Sequence, residues 1–409
     1  MEAAAARTHD VDHEYAPMTK PNQSTAIHGG QQPETCTRPV TTPIYTSATY
    51  RFESTADLRA YMAGEREAFH YSRYGNPTVR AAEYAVAALE NAQDAVLVSS
   101  GMAALTTALT TLLRGGQHAV FTSDIYRPTA ELLAGLLERF GIESTRVDTD
   151  DLDALEAAIR PGVTKVIFTE LPTNPHNRVV DIERLAAIKK KARARLVVDA
   201  TFATPYNARP LELGADVVVH SLSKYIGGHN DLIAGAIVCR AAVADAFREQ
   251  RAMLGGILDP NSAYNLIRGI KTFPMRMERH NANALAVARA LEAHPKVEAV
   301  FYPMLESHAD YELAKRTLHG GGGVVTFRFR GDLDQTSGVI DRLKLISHSA
   351  SLGGVESLAH QPAVFSHSDL TPEARLDVGV TDNLIRVAIG LEEPEDIIQD
   401  LYQALDADA

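Results

Sequence analysis

The chain has 409 residues, 45% of them hydrophobic and 22% charged, the make-up of a soluble globular protein long enough for two cores. A formal charge of -12 argues against nucleic acid and anionic membrane surfaces as partners. Cys36 and Cys239 are the only cysteines, which excludes a disulfide framework and a CxxC metal pair.

In chain order, residues 1–24 show little apolar periodicity and lack the basic and apolar regions of a signal peptide. A frayed tail on a cytoplasmic protein is expected. From Ile27 to Phe52, Pro33, Pro39 and Pro43 punctuate a polar stretch. It reads as an extended arm lying on a neighbouring subunit, so residues 1–70 are taken as tail and arm. Tyr71-Ser72-Arg73-Tyr74-Gly75-Asn76-Pro77-Thr78 holds a turn, with Thr78 positioned to cap a helix over Val79–Glu90. Arg73 between tyrosines suits an anion grip or a solvated surface loop. Apolar strands are expected at Ala95–Val98, Ala119–Thr122, Lys165–Thr169, Leu196–Asp199, Asp216–His220 and Ala234–Cys239. Helical patterns, beginning with Met102–Leu113, lie between them. Continuous apolar strands joined by helices predict a large α/β domain, residues 71–262, with a mostly parallel sheet covered on both faces.

After Asp259-Pro260-Asn261 the pattern turns to long helices, roughly Ala263–Ala293. The glycine run Gly320–Gly323 lacks the Lys-Ser/Thr of a phosphate loop and reads as a tight turn. It leads into Val324–Arg330, whose alternation predicts a half-exposed antiparallel strand. An amphipathic helix over Pro394–Leu405 closes a smaller α+β domain, residues 263–409.

The chemistry centres on Ser221-Leu222-Ser223-Lys224-Tyr225-Ile226-Gly227-Gly228. Lys224 follows the buried run Val217–Val219, where an ammonium is costly unless it is paired or made neutral. An imine to a carbonyl cofactor is one way to neutralise it. Ser99-Ser100-Gly101-Met102 joins a strand to a helix N-terminus, which offers a phosphate seat; an ordinary βα turn looks the same. Asp199 ends a core strand, where α/β sheets present ligand contacts, or it caps a helix. Phosphate seat, carboxylate and lysine on successive sheet edges are together what pyridoxal phosphate requires: lysine for the imine, carboxylate to keep the pyridine nitrogen protonated.

Those stretches, with Pro172-Thr173-Asn174-Pro175, Thr201-Phe202-Ala203-Thr204-Pro205, Ser351-Leu352-Gly353-Gly354 and Leu384-Ile385-Arg386-Val387-Ala388, resemble the transsulfuration (Cys/Met metabolism) family of fold-type I pyridoxal-phosphate enzymes. The resemblance covers roughly Thr25–Leu405. It implies a parallel sheet sandwiched by helices, with a C-terminal α+β domain. By it, Lys224 forms the Schiff base and carries protons, and Asp199 pairs with the pyridinium. Gly101, Met102, Ser221 and Ser223 bind the phosphate with Thr201 alongside, and Tyr71 and Arg73 reach it from a neighbouring subunit. Tyr126 stacks on the ring and takes part in catalysis with Tyr71, and Asn174 contacts the ring hydroxyl. Arg386 holds the substrate carboxylate with Ser351 helping, and Arg127 is a further substrate contact. A homo-oligomer follows, a tetramer by family habit.

Gly227-Gly228-His229-Asn230-Asp231, Asp259-Pro260-Asn261 and Tyr126-Arg127 resemble the plant-type cystathionine γ-synthase branch. Departures are Ala350, where many relatives carry glutamate, Ala200 after Asp199, and Pro128-Thr129-Ala130-Glu131, where relatives that bind a charged γ-substituent place a further Lys or Arg. The expectation is elimination or replacement at Cγ of a homoserine-type amino acid without a large anion at its distal end. Cystathionine or methionine γ-lyase, β-lyase and a non-catalytic homologue are the alternatives. The fifteen histidines show no paired metal spacing, and no metal is expected. His229 reads as structural; of His348, His360 and His367, one is a pocket candidate.

Overall fold

A computed structural model describes residues 22–29 and 39–407. The expected tail over residues 1–21 and part of the expected arm, residues 30–38, lie outside them. The remainder corrects the reading of this region. Gln23–His28 is a helix capped by Asn22, whose side chain accepts from the Thr25 amide at 2.8 Å. Ala26 is buried in the core beneath it. Residues 39–52 do run as exposed, largely irregular chain, tied back by an isolated bridge between Thr49 and Tyr71.

The large sheet contains β1 Asp94–Val98, β2 His118–Thr122, β3 Glu143–Val147, β4 Thr164–Glu170, β5 Arg195–Asp199, β6 Val217–Ser221 and β7 Gly235–Cys239, in the order β1-β7-β6-β5-β4-β2-β3. From β6 to β3 all neighbours are parallel. β7 is antiparallel to both β6 and β1. β1 and β6 therefore run the same way, and the chain leaves Val98 and Ser221 at one edge of the sheet. β3 was not expected: its sequence Glu-Ser-Thr-Arg-Val is polar and partly exposed at the sheet edge, where apolar patterning is weakest.

Both faces of the sheet are covered. Val96, Val98, Val217, Val219 and Ile237 pack under the helices Gly101–Leu112 and Ala241–Leu254. Leu97, Val218, Ala236 and Val238 pack under Pro77–Leu89 and Pro260–Ile270. Strands buried on both sides have to be apolar at every position. The cap of Pro77–Leu89 is Asn76, which accepts from Thr78 and Val79 amides at 2.9 and 3.3 Å. Thr78, expected as the cap, instead lies inside the helix and donates to the Pro43 carbonyl at 2.9 Å. Pro77 explains the shift: a proline is preorganised for the first helical position.

The helical stretch after Asp259 divides at Lys271-Thr272 into Pro260–Ile270 and Phe273–Glu292, because Phe273-Pro274 opens a new first turn. The expected boundary at 262/263 falls within the first of these, whose Ala263, Leu266 and Ile270 sit in the core of the large sheet. The second sheet contains β8 Val297–Phe301, β9 Val324–Phe329, β10 Ser347–His348, β11 Leu358–His360 and β12 Leu384–Ala388, in the order β10-β11-β12-β9-β8. β9 is buried on both faces, except at Arg328, which corrects the half-exposed expectation. Its polar Thr326 faces the large domain and donates to the Pro175 carbonyl at 2.7 Å.

Candidate active site

Lys224 lies three residues beyond β6. Its Nζ donates to Ser351 Oγ at 2.6 Å, across 127 residues of sequence. Burial, with the nearby charge of Arg386, pulls its ammonium down to about 8. At pH 7 roughly a tenth of the amine is neutral, far more than for a free lysine. Ser351 holds a positive φ of 81°, uncommon for a residue with a side chain. That backbone turns its hydroxyl to Lys224 and its carbonyl to Arg386.

Arg386 is on β12 and is buried, with 7% exposure. Its Nη2 donates to the Ser351 carbonyl at 2.8 Å and its Nη1 to Asn174 Oδ1 at 3.1 Å. Nε has no partner among the described residues. Burial lowers its guanidinium to about 10, so it stays charged, desolvated and part-satisfied: a seat for a carboxylate. Lys224, Ser351, Asn174 and Arg386 thus form one contiguous group drawn from both sheets.

The wall behind them is the β4–β5–β6 edge. Asp199 ends β5 and accepts from the Thr201 amide at 2.9 Å. Burial raises its carboxyl, and the Thr201 hydrogen bonds oppose that rise. Thr201 Oγ1 accepts from the Ser221 amide at 2.8 Å, so one threonine links Asp199 to the end of β6. Ser221 packs against Gly101, where a β-carbon would lie 2.9 Å from Ser221 Cβ. Ser100 caps the Gly101–Leu112 helix, accepting from Ala103 at 3.0 Å, and the first-turn amides of Gly101 and Met102 have no acceptor within the helix. β7 fits between β1 and β6 because Gly235 has no side chain; a β-carbon there would lie 2.1 Å from the Ser100 carbonyl oxygen.

Not every expected residue joins this group. Ser223 Oγ is engaged with Ala234, accepting from its amide at 3.0 Å and donating to its carbonyl at 3.3 Å. Arg127 is engaged elsewhere. Its guanidinium pairs with Asp369 and Glu131 and donates to the Ser366 carbonyl at 2.9 Å. Tyr71 and Tyr74 are 39% and 47% exposed, with the Arg73 guanidinium 5.6 and 4.7 Å from their ring centres. Within this chain Arg73 is anchored on the Ala252 carbonyl at 3.2 Å. Tyr126 presents a ring at 44% exposure, and burial raises its hydroxyl.

One residue escaped the sequence reading. Glu170 ends β4 opposite Asp199 in the strand register. It is buried, accepts from the Tyr126 amide at 2.7 Å, and has its carboxyl pushed well up by burial and then by Asp199. Its place before Leu171-Pro172 at a strand end was the available signal. Of the three histidines, His360 is the buried one, beside Arg386 in the β11–β12 register. Burial drives its imidazolium down to about 2. His348 is exposed, and His229 Nδ1 bonds the Gly227 carbonyl at 2.9 Å. Among the described residues no group of three His, Cys, Asp or Glu is placed to hold a metal, and no helix is long and apolar enough to cross a membrane.

A part-neutral lysine, a carboxylate at the strand end and a glycine-lined helix N-terminus fit pyridoxal phosphate. The family model for Cys/Met metabolism PLP-dependent enzymes (PLP, pyridoxal phosphate) matches residues 23–406. The chain belongs to this family. It is 43% identical to cystathionine gamma-synthase 1, chloroplastic, of Arabidopsis thaliana over 94% of this chain and 69% of that protein. It is 42% identical to L-methionine gamma-lyase of Fusobacterium nucleatum subsp. polymorphum over 94% and 97%. The structure of metB from Corynebacterium glutamicum superposes with a TM-score of 0.88 at 37% identity, covering 94% and 97% of the two chains. A Campylobacter jejuni structure containing pyridoxyl-lysine 5'-monophosphate superposes at 0.89 with 33% identity, covering 94% and 99%. The chain is thus a fold-type I, PLP-dependent enzyme of amino-acid metabolism. At family level its reaction is elimination or replacement at Cγ.

Proposed function

We propose that the substrate is a homoserine-type L-amino acid whose γ-substituent is not a large anion, and that the reaction is cystathionine γ-synthase-like. The contact between Lys224 Nζ and Ser351 Oγ beside the Arg386 fork carries this reading. It sets an amine able to move protons next to a carboxylate seat. PLP, when bound, supplies the electron sink for a carbanion on the substrate. Lys224 Nζ takes the proton from Cα, and then serves Cβ and Cγ as the γ-substituent departs. Arg386 holds the α-carboxylate and fixes which Cα bond faces the lysine, with Ser351 and Asn174 steadying it. Asp199, with Thr201 beside it, would hold the pyridine nitrogen protonated. Gly101, Met102, Ser221 and Ser223 would hold the phosphate, and Tyr126 would stack on the ring. Tyr71 and Arg73 complete the site of a neighbouring subunit in a homo-oligomer, a tetramer built from dimers. A cytoplasmic location belongs to this reading, although the similar cystathionine gamma-synthases of Arabidopsis thaliana and Nicotiana tabacum are chloroplastic by name.

The leaving-group inference rests on Arg127, whose fork is occupied by Asp369, Glu131 and a carbonyl. Assays with O-acetyl-, O-succinyl- and O-phosphohomoserine, cystathionine and methionine, with and without cysteine, test it. O-phosphohomoserine should show kcat/KM lower by about 10-fold or more than the best uncharged donor, and Asp369→Ala, which releases Arg127, should narrow that gap. Robust turnover of O-phosphohomoserine by the wild type would overturn the inference. The lyase reading has support from the near-full-length match to methionine γ-lyase. Product formed without cysteine favours it over replacement.

The phosphate seat has its own test. Gly101→Val places carbon against Ser221, where even a β-carbon would sit at 2.9 Å. PLP affinity should fall about 10-fold or more, equivalent to about 1.4 kcal/mol, as measured by equilibrium dialysis. Unchanged affinity would remove Gly101 from the site.

A further inference from the structure

We infer that Arg276 is a positioning residue for Lys224, holding the turn that carries it from behind. This rests on Lys224 being the cofactor lysine. Arg276 breaks two rules of placement. It is a cation in the first turn of a helix, Phe273–Glu292, where the dipole disfavours positive charge. It is also 5% exposed, and no carboxylate among the described residues offsets its burial. A buried unpaired charge costs several kcal/mol unless hydrogen bonds replace its hydration. Local rules broken in this way mark places where the fold serves function.

Its hydrogen bonds show what it serves. Nη1 donates to the Tyr225 carbonyl at 2.5 Å, and Nη2 donates to the Ile226 carbonyl at 3.2 Å and the Gly269 carbonyl at 2.9 Å. Nε donates to Thr272 Oγ1 at 3.2 Å. Two of these acceptors are the carbonyls immediately after Lys224. Backbone bonds also close the turn, from Lys224 N to the Ser221 carbonyl at 3.2 Å, from Gly227 N to the Leu222 carbonyl at 2.9 Å and from Gly228 N to the Lys224 carbonyl at 2.7 Å. Gly228 has φ +77°, and a β-carbon there would fall 1.8 Å from Arg276 Nη1. At Gly269 it would fall 2.3 Å from the Gly227 carbonyl oxygen. Gly228 thus leaves room for the guanidinium, and Gly269 leaves room for the Gly227 backbone of the same turn. On the far side Tyr225 is buried and its hydroxyl accepts from the Gly323 amide at 3.0 Å. Arg276 and Tyr225 thus both hold the turn from which Lys224 reaches Ser351.

A fork that binds two successive carbonyls is a task lysine cannot repeat. The test uses the full chain incubated with PLP, reduced with borohydride and mapped for the labelled lysine. In Arg276→Lys and Arg276→Met, labelling of Lys224 should slow by about 10-fold or more, and kcat should fall similarly. KM for the amino acid should stay within about 3-fold, since misplacing a reacting group costs rate more than binding. Labelling and kcat equal to wild type, with only a lower melting temperature, would overturn the inference and leave Arg276 a purely stabilising residue. If these variants do not fold, Thr272→Val decides. It keeps the charge and removes the Nε acceptor, and should slow labelling by about 2- to 3-fold; unchanged labelling again overturns the inference. A wild-type chain labelled elsewhere than Lys224 would instead overturn the assignment of the lysine.

Discussion

Lys224→Ala should abolish the visible absorbance of the PLP-treated protein and lower turnover by about 10^3-fold or more, the scale of losing a proton carrier that is also the covalent anchor. The fold should survive, because the side chain makes one hydrogen bond, to Ser351, and its burial is unfavourable to its own charge. A parallel measurement on the cofactor-free wild type follows the pH dependence of Lys224 modification by an amine-selective reagent. Burial disfavours the ammonium, so the neutral form should appear as pH rises through about 8 rather than 10.5. A midpoint near that of a free lysine would mean the amine is solvated. A retained absorbance band in Lys224→Ala would place the imine on another lysine.

Arg386→Lys should lower kcat/KM by about 100-fold, equivalent to about 3 kcal/mol, with most of the loss in KM for the amino acid. The substitution keeps the charge and loses the fork. One ammonium cannot hold Asn174 Oδ1 and the Ser351 carbonyl at their present 3.1 and 2.8 Å and also grip a carboxylate with two parallel bonds. The PLP absorbance should persist, which separates this variant from Lys224→Ala. Arg386→Met should go further. It removes the charge that helps depress Lys224, so the lysine's modification midpoint should rise above that of the wild type. An unchanged KM in both variants would remove Arg386 from the carboxylate site.

The strands of the large sheet were legible as apolar runs because burial on both faces demands apolar side chains throughout. The same reasoning failed at β3, which lies at an edge and has no such demand, and at β9, whose polar Thr326 is buried by the other domain. Thr78 was misplaced as a cap because Asn76 and Thr78 both suit capping, and only Pro77 in its helical place separates them.

The site divides in the same way. Lys224, Asp199 and Gly101–Met102 were readable because each sits where a strand ends and a turn begins, and turn chemistry is local. Arg386 and Ser351 were named only through the family's motifs. Their approach to Lys224 spans more than a hundred residues and depends on how the second sheet docks against the first. Glu170 was passed over, and Met275-Arg276-Met277 reads in sequence as ordinary helix surface and core. A glutamate after a strand and an arginine in a helix are ordinary in sequence, and become unusual only once burial removes water from them. Local patterning alone made the inner strands of the sheet, the strand-to-helix turn at Gly101 and the lysine legible, because periodicity and turn residues act over a few positions. The tertiary structure alone decided that Arg127 is spent on Asp369, that β7 inserts against Ser100 through Gly235, and that the turn behind Lys224 is gripped by a buried cation, because these are contacts between segments that no local pattern brings together.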